Sequence, residues 1–267
     1  MAVISLTTDF GLADEYVGVM KGAILRVNPH VQIVDISHNV PAFDVMAGAR
    51  MMEAVFPYFP EGTVHVGVVD PGVGSSRAIV AFDMAGHRFV VPDNTMASYL
   101  IRGRLVDGLV AVPVPYEASR KASDTFHGRD VFAPAAARLA KGCALSELGA
   151  PVAPNALVPV VEKDHGLEAD GTVIARIAAI DSFGNVITDL RYTEAQALFH
   201  GVPDRNLGVL IGECRVCGLV HHYSEKKRDE DALVVGSRGY LEIAVNQGSA
   251  RNRHKVSRGD RVVFFVI

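Results

Sequence analysis

The sequence predicts an α/β protein with an N-terminal, mainly parallel α/β sandwich domain and a smaller C-terminal β-barrel-like domain. Before about residue 150, apolar segments of strand length alternate with segments of helical period. This alternation is typical of a parallel sheet with helices on both faces. After about residue 170, short strand-like segments follow one another closely, which favours a small barrel or sandwich. A chain of 267 residues can bury a core in each region.

The elements of the first region follow from the spacing of its apolar residues. A β-branched segment near the N-terminus predicts a strand, and the next apolar residues recur at the period of one helical face. Pro41 marks the first turn of a later helix, and Gly142 marks the end of another. The predicted strands cover residues 3–8, 31–37 and 63–70, and the predicted helices cover residues 17–27, 41–56 and 130–142.

The second region is set apart by its composition. We predict an N-terminal domain over residues 1–155, a linker rich in Pro and charge over 156–170, and a C-terminal β domain over 171–267. One helix is predicted there, over residues 193–199. The predicted strands cover residues 172–181, 185–190, 207–212, 232–237, 240–246 and 261–267.

Composition excludes several functional classes. The net charge of −4 and the lack of any Lys/Arg stripe argue against nucleic-acid binding. The sequence shows neither a signal peptide nor an apolar run of membrane-spanning length. Three thinly spread cysteines do not form a disulfide framework. We therefore expect a cytoplasmic protein whose partner is a small molecule, with no nucleic acid and no membrane.

The segment His65–Arg77, HVGVVDPGVGSSR, resembles a phosphate-binding loop but lacks its lysine. The dinucleotide fingerprint also fails, because strand-like sequence follows the glycines where a helix should begin. What remains is a strand that ends in Asp70 and a tight turn that returns Arg77 to its neighbourhood. The segment is thus a weak candidate for phosphate and a better one for a carboxylate–guanidinium pair.

Other polar residues also follow the predicted strands of the first region. Ligands of open parallel sheets bind outside the carboxyl ends of the strands. Any one of these residues could instead be a helix cap or a turn residue, but together they predict a cleft. They are Asp9, Asp35, His38, Asp70, Asp93 and Asn94.

Three further segments carry candidate groups. His127 lies in a turn just before a helix, where an imidazole can reach a cleft, whereas Arg129 and Asp130 are explained as a surface pair and a helix cap. Asp181 and Asn185 could bind an amine and a heterocycle edge, or could simply form a β-turn.

Cys214 and Cys217, followed by two adjacent histidines, suggest zinc. A properly spaced second ligand pair is missing, so we expect no metal.

Taken together, the motifs resemble the S-adenosylmethionine hydroxide adenosyltransferases, a family related to fluorinase and chlorinase. The resemblance covers nearly the whole chain. Its segments are TTDFGLADEYVGVMKGAI, DISHNVPAFDVMAGA, VHVGVVDPGVGSSR, VVPDN, TFHGRDVFAPAAARLA, IDSFGNVITD and GYLEIAVNQGSA.

The resemblance implies hydrolysis of S-adenosyl-L-methionine to adenosine and L-methionine without a cofactor. It implies an Asp–Arg–His triad that activates water and a homotrimer with inter-subunit active sites. The triad positions correspond to Asp70, Arg77 and His127. The implied substrate contacts are Asp9 to the ribose, Asp181 to the methionine amine, Asn185 to adenine, and Ser237 with Arg238 near the methionine carboxylate.

Three alternatives stay open at this stage. A non-catalytic S-adenosylmethionine sensor would keep the pocket with an incomplete triad, whereas all three triad positions are filled here. A halogenase would lack the Asp-Pro-Gly turn and would have Tyr-Ser in place of His127 and Gly128. A metal-dependent phosphohydrolase would rest on Asp9, Asp70, Asp93 and Asp181.

Overall fold

A computed structural model describes residues 2–114, 122–160 and 165–267 of the chain. The chain divides into two compact units, residues 1–161 and residues 162–267. Each unit has its own hydrophobic core. None of the helices in the part of the chain that the structure describes has the length and apolarity that a membrane crossing requires.

The first unit is a seven-stranded sheet covered by helices. Its strands are β1 (Val3–Thr8), β2 (Gln32–Ser37), β3 (Val64–Val68), β4 (Ile79–Met84), β5 (His87–Pro92), β6 (Gly108–Val112) and β7 (Ala150–Pro151). Its helices are α1 (Tyr16–Val27), α2 (Val45–Val55), α3 (Met96–Ile101) and α4 (Ala133–Ala140). A π-helical turn (Gly128–Phe132) runs into α4, and 3-10 turns lie at Phe56–Tyr58, Leu145–Glu147 and Pro154–Ala156.

The sheet of the first unit is mixed. In the order β2-β1-β3-β5-β4-β6-β7, the first four strands are parallel. The last three pair antiparallel, because β4 and β5 form a tight hairpin through Ala85 and Gly86, which both have positive φ. The predicted α/β class is confirmed, and the parallel half contains the strands whose carboxyl ends carry the polar residues.

Helices cover both faces of this sheet, as the sequence predicts. One face packs on α1 and α4, and the other packs on α2 and α3. In α1 the buried residues Val17, Met20 and Ile24 form the predicted apolar stripe. The alternating side chains of β4 and β5 divide between the two cores, which is why both strands are mostly apolar.

Helix α2 begins later than the sequence predicts. We placed Pro41 in its first turn, but the helix starts at Val45. Asp44 is the N-cap, and its carboxylate accepts a hydrogen bond from the Ala47 backbone N–H at 2.9 Å. Phe43 has a left-handed φ of 66°, which the helix cannot continue. The cap signal of the aspartate therefore outweighed that of the proline.

The second unit is an eight-stranded, nearly closed, barrel-like sheet in the order β11-β10-β15-β8-β9-β14-β13-β12. Its strands are β8 (Val173–Ile180), β9 (Val186–Arg191), β10 (Leu207–Ile211), β11 (Cys214–Cys217), β12 (Leu219–Val220), β13 (Asp231–Val235), β14 (Tyr240–Val245) and β15 (Arg261–Val266). Its helices are α5 (Tyr192–Leu198) and α6 (Ala250–His254), with 3-10 turns at Asp204–Asn206 and Tyr223–Glu225.

The segment predicted as a linker has contacts at both of its ends. Leu157 is buried in the first unit, and the Val158 N–H donates a hydrogen bond to Asp93 at 2.9 Å. On the other side, His165 is bound between Asp189 and Glu194 of the second unit. Residues 161–164 of the predicted linker lie outside the described residues.

Candidate active site

The turn after β3 brings Arg77 back to Asp70. The Val73 N–H bonds to the Asp70 carbonyl, and both the N–H and the hydroxyl of Ser75 bond to the Gly72 carbonyl. Gly74 has φ 79°, and a Cβ there would lie 2.2 Å from the carbonyl oxygen of Asp124. Only glycine fits such a position, so the glycine-rich sequence makes a compact turn that aims a guanidinium at a carboxylate.

Asp70 and Arg77 form a two-pronged ion pair. Arg77 Nε donates to Asp70 Oδ1 at 2.8 Å, and Arg77 Nη2 donates to Asp70 Oδ2. The side chain of Arg77 is only 9% exposed and that of Asp70 only 4%, and the guanidinium lies over the Phe132 ring at 5.7 Å. A paired guanidinium stacked on an aromatic ring is held in one orientation.

His127 completes the cluster from a distant part of the chain. It precedes the π-helical turn, is 4% exposed, and its Nδ1 lies 3.0 Å from Arg77 Nη2. Arginine has no acceptor, so Nδ1 accepts this hydrogen bond, and a neutral ring then carries its proton on Nε2. Burial, followed by the charge of Arg77, lowers the pKa of His127, which keeps the imidazole neutral at pH 7.

One end of the guanidinium is unsatisfied. Arg77 Nη1 is buried, and no group among the described residues accepts a hydrogen bond from it. Arg77 and His127 also line a cavity of about 240 Å³ together with the glycine-rich turn. A buried donor without an acceptor points to a small polar ligand as its missing partner.

Asp9 lies at the same edge of the sheet, directly after β1. Its Oδ2 accepts a hydrogen bond from the Phe43 N–H at 2.9 Å, and Phe43 itself is 73% exposed. Rings of Phe10 and Phe126 lie 5.9 Å apart and join the loop of Asp9 to the loop of His127. The structure thus holds these two loops together without a direct bond between the two predicted site residues.

The other polar residues at this edge support the local structure. His38 Nδ1 lies 2.8 Å from Thr8 Oγ1, and the Asp35 carboxylate binds Lys21 at 2.6 Å. Asp93 accepts the hydrogen bond from the Val158 N–H, and Asn94 donates to the Val69 carbonyl at 2.9 Å. Asn94 therefore fixes the backbone just before Asp70. Their hydrogen bonds go to groups outside the triad.

The second unit brings together Asp181 and Asn185. Asp181 Oδ1 accepts hydrogen bonds from the N–H groups of Phe183 and Asn185, and Asp181 Oδ2 accepts from Asn185 Nδ2 at 2.9 Å. The β-turn interpretation of this segment is therefore confirmed, because the carboxylate organises the turn between β8 and β9. The turn places the Asn185 amide against the carboxylate.

Ser237 and Arg238 lie in the turn between β13 and β14, which is closed by hydrogen bonds from Gly236 and Gly239. Sequence reasoning missed a third residue near this turn, Glu242. It lies within β14 and is 6% exposed. The charges of Arg238 and Asp181 both act on its carboxyl group: Arg238 lowers its pKa and Asp181 raises it. A glutamate in an otherwise apolar strand was the signal that could have identified it.

In the Cys-x-x-Cys segment, Cys214 contacts an acidic side chain. Cys214 Sγ lies 3.8 Å from Asp231 Oδ2, and Asp231 also binds His254 at 2.8 Å. Burial and the negative charge of Asp231 raise the pKa of the Cys214 thiol. Within residues 2–114, 122–160 and 165–267, no three His, Cys, Asp or Glu side chains are grouped to hold a metal ion.

The fold and the site define an α/β protein with a buried Asp–Arg–His cluster at the carboxyl edge of parallel strands and a separate β unit with its own polar groups. The family described as SAM hydroxide adenosyltransferase matches this chain twice. Its N-terminal domain matches residues 4–149, and its C-terminal domain matches residues 175–263. The chain therefore belongs to this family.

Individual proteins of this superfamily are also similar to the chain over nearly its whole length. A protein of Salinispora arenicola named (R)-S-adenosyl-L-methionine hydrolase is 38% identical over 97% of this chain and 96% of its own length. One with the same name from Methanocaldococcus jannaschii is 34% identical over 91% and 88%. A fluorinase of Nocardia brasiliensis is 27% identical over 96% and 94%.

Among solved structures, an uncharacterized conserved protein of Thermotoga maritima superposes with a TM-score of 0.87. It shares 31% identity, and the match covers 99% of this chain and 100% of that one.

Proposed function

We propose that this protein hydrolyses S-adenosyl-L-methionine to adenosine and L-methionine by in-line attack of water at C5′. The observation that carries the proposal is the unsatisfied Nη1 of Arg77, inside a buried Asp–Arg–His cluster. Full-length relatives named as hydrolases support it. Methionine leaves a sulfonium as a neutral thioether, so the leaving group needs no acid, and the difficult step is to activate water.

The cluster suits that task. Water ionises with a pKa of about 15.7, so a fixed cation beside it favours the developing hydroxide. We assign this role to Arg77, with its Nη1 donating to the attacking oxygen. The reaction releases one proton, and no cofactor is needed for its removal.

We assign the acceptance of that proton to Asp70. Arg77 occupies Nδ1 of His127, so the neutral ring offers a donor at Nε2 and no free acceptor. Asp70 also binds Arg77, but each carboxylate oxygen keeps a second lone pair. In this assignment, His127 orients the water and Asp70 acts as the base.

The substrate contacts are assigned to the remaining predicted residues. We propose that Asp9 binds the ribose, Asp181 the methionine amine, Asn185 adenine, and Ser237 with Arg238 the methionine carboxylate. The side chains of Asp9 and Asp181 are already fixed by backbone N–H groups, which preorganises them. We further propose that the protein is a homotrimer, as the family resemblance implies, and that it is cytoplasmic, which agrees with three cysteines that are all free thiols.

A halogenase of the same superfamily is less compatible with this site. A halide has no proton to lose, and the carboxylate of Asp70 would repel an anion at short range. The relatives named as hydrolases are also more similar in sequence than the fluorinase cited above.

One experiment tests the proposal: incubation with S-adenosylmethionine in ¹⁸O-labelled water containing excess fluoride or chloride. We expect adenosine that carries the label and no 5′-halo-adenosine by mass spectrometry. Unlabelled adenosine would exclude attack of water at C5′, and a halogenated product would indicate a halogenase.

His127→Gln keeps a donor near the Nε2 position, so it should retain more activity than Asp70→Asn if Asp70 is the base.

A further inference from the structure

Glu242 is a buried acid that the fold itself does not use. It lies in the middle of β14, on the face opposite Leu241 and Ile243, which pack in the barrel core. Its cross-strand neighbours are Val234 and Ile187, both apolar and buried. A carboxyl group placed among such neighbours loses hydration, and hydrophobic residues would pack there at lower cost.

The carboxyl group of Glu242 has no hydrogen-bond donor among the described residues, and it forms no ion pair within 4.0 Å there. The carboxyl group lies against the backbone of Gly236. A Cβ added to Gly236 by substitution would lie 1.8 Å from Glu242 Oε1. Gly236 therefore leaves the space that the carboxyl group fills. The residue is 6% exposed and its oxygens are not fully enclosed, so a ligand from outside the fold can reach the carboxyl group.

The surroundings of Glu242 indicate the charge of its missing partner. Val186 and Ile187 of β9 pair with Ile243 and Glu242, and β9 begins directly after Asn185. Glu242 is thus beside the turn of Asp181, whose carboxylate repels it, while Arg238 attracts it. Burial, more than Asp181, raises the pKa of Glu242 in the ligand-free protein.

Two carboxylates and one guanidinium give this cluster a net charge of −1. S-adenosylmethionine carries an ammonium, a carboxylate and a sulfonium, and its net charge is +1. The guanidinium of Arg238 suits the ligand carboxylate, and the two acids suit the ligand ammonium.

We propose that Glu242 is a binding residue for the ammonium group of the substrate's amino-acid end, acting together with Asp181. This inference rests on the proposed function, which supplies a ligand with an amino-acid end. It explains why an acid stands at this position of β14, why Gly236 leaves room for it, and why it has no partner in the protein itself.

The test compares two stable ligands by titration calorimetry on the full chain. S-adenosyl-L-homocysteine has the amino-acid end, and 5′-methylthioadenosine lacks it. We expect Glu242→Gln to weaken binding of the first by about 10- to 100-fold, the range for a lost hydrogen bond to a charged group. Binding of 5′-methylthioadenosine should stay within about twofold of wild type, since that ligand makes no contact there.

Two controls separate binding from folding. Glu213→Gln changes an exposed glutamate in a turn of the same unit and should bind both ligands as the wild type does. The thermal midpoint of ligand-free Glu242→Gln should equal or exceed that of the wild type, because a buried, repelled acid is removed. A lower midpoint with equal weakening of both ligands would show a structural role and overturn the proposal.

The outcome is distinguishable from that of the proposed function. If the wild type releases adenosine while Glu242→Gln binds both ligands normally, the Glu242 assignment is wrong and the hydrolase proposal stands. If the wild type prefers S-adenosyl-L-homocysteine, loses that preference in Glu242→Gln, and releases no adenosine, the assignment holds and the hydrolase proposal is wrong.

Discussion

Asp70 and Asp181 are both carboxylates that follow a strand, but their surroundings are opposite. Asp70 faces a guanidinium that binds both of its oxygens. Asp181 is held by backbone N–H groups of its own turn and is near a second, unpaired acid. The Asp70–Arg77 cluster therefore has balanced charges and one unsatisfied cationic donor. The cluster of Asp181, Glu242 and Arg238 has one more acid than base.

This difference separates two tasks. A balanced cluster with one free donor can stabilise a small developing anion such as hydroxide. A cluster with an excess of one acid can bind a cationic group such as an ammonium. Variants of the Asp70–Arg77–His127 cluster should therefore change turnover, and variants of the Asp181–Glu242 cluster should change affinity.

The largest effect is expected from Arg77→Lys. A lysine is a point donor, so it cannot bind both oxygens of Asp70, reach His127 and still donate from Nη1. We expect kcat for adenosine release to fall about 10²- to 10³-fold, the loss typical of a preorganised donor, with KM changed only a few-fold.

Arg104→Lys is the matched control, because Arg104 pairs with Glu53 at 2.7 Å in the same unit. It should keep wild-type turnover. A rise in KM with unchanged kcat in Arg77→Lys would instead give Arg77 a binding role.

The second prediction contrasts the pH response of the two units. In the first unit, burial and then the neighbouring His87 lower the pKa of His65 to about 3. The unfolded histidine titrates near 6.5, so the unfolded state binds more protons between these values. Stability of the first unit should fall as pH falls from about 6.5 towards 3, by up to about 1.4 kcal/mol per pH unit.

In the second unit, stability changes with pH in the opposite direction. The hydrogen bond to Asp189 outweighs burial and, together with Glu194, raises the pKa of His165 to about 9. The charged pair is fully stabilising below pH 6.5 and is lost as pH rises to about 9. The loss should be on the order of 2 to 3 kcal/mol.

Hydrogen exchange, corrected for the pH dependence of the intrinsic rate, measures both effects in one chain. Amides of β3 and β5 should lose protection at acid pH, and amides of β8 and β9 should lose it at alkaline pH. His165→Gln should flatten only the alkaline response. If both units respond at the same pH, the contrast between the histidines is wrong.

The smallest expected effect tests the glycine-rich turn. Gly74→Ala adds a Cβ at φ 79° and at 2.2 Å from a backbone oxygen. Gly103→Ala is a matched control, because Gly103 has φ 67° with nothing within 4 Å of the added atom. Gly103→Ala should lose about 1–2 kcal/mol of stability through the left-handed backbone, and Gly74→Ala should lose more, because its Cβ also clashes with the Asp124 carbonyl oxygen.

Only Gly74→Ala should also lose adenosine release, since the clash moves the turn that aims Arg77. If both variants keep full activity, the close approach to Asp124 does not position the guanidinium.

The sequence by itself determined the features that depend on short stretches of chain. The alternation of apolar segments predicted the two regions, and the turn between Asp70 and Arg77 spans only seven positions, so its pairing is a local property. The order of the motifs also sufficed for the family. The start of α2 was predicted too early, because two competing local signals, Pro41 and Asp44, lie three residues apart.

Tertiary structure decided which distant residues are in contact and which charges in each cluster have no partner. His127 reaches Arg77 across 50 residues, and the tautomer of its ring follows from that contact alone. His65 and His87 meet across 22 residues, and burial of the pair keeps both neutral. Glu242 is brought to the turn of Asp181 by the pairing of β14 with β9. The reason is physical: hydrogen-bond partners and desolvation depend on distances in space, which residue order along a chain does not specify.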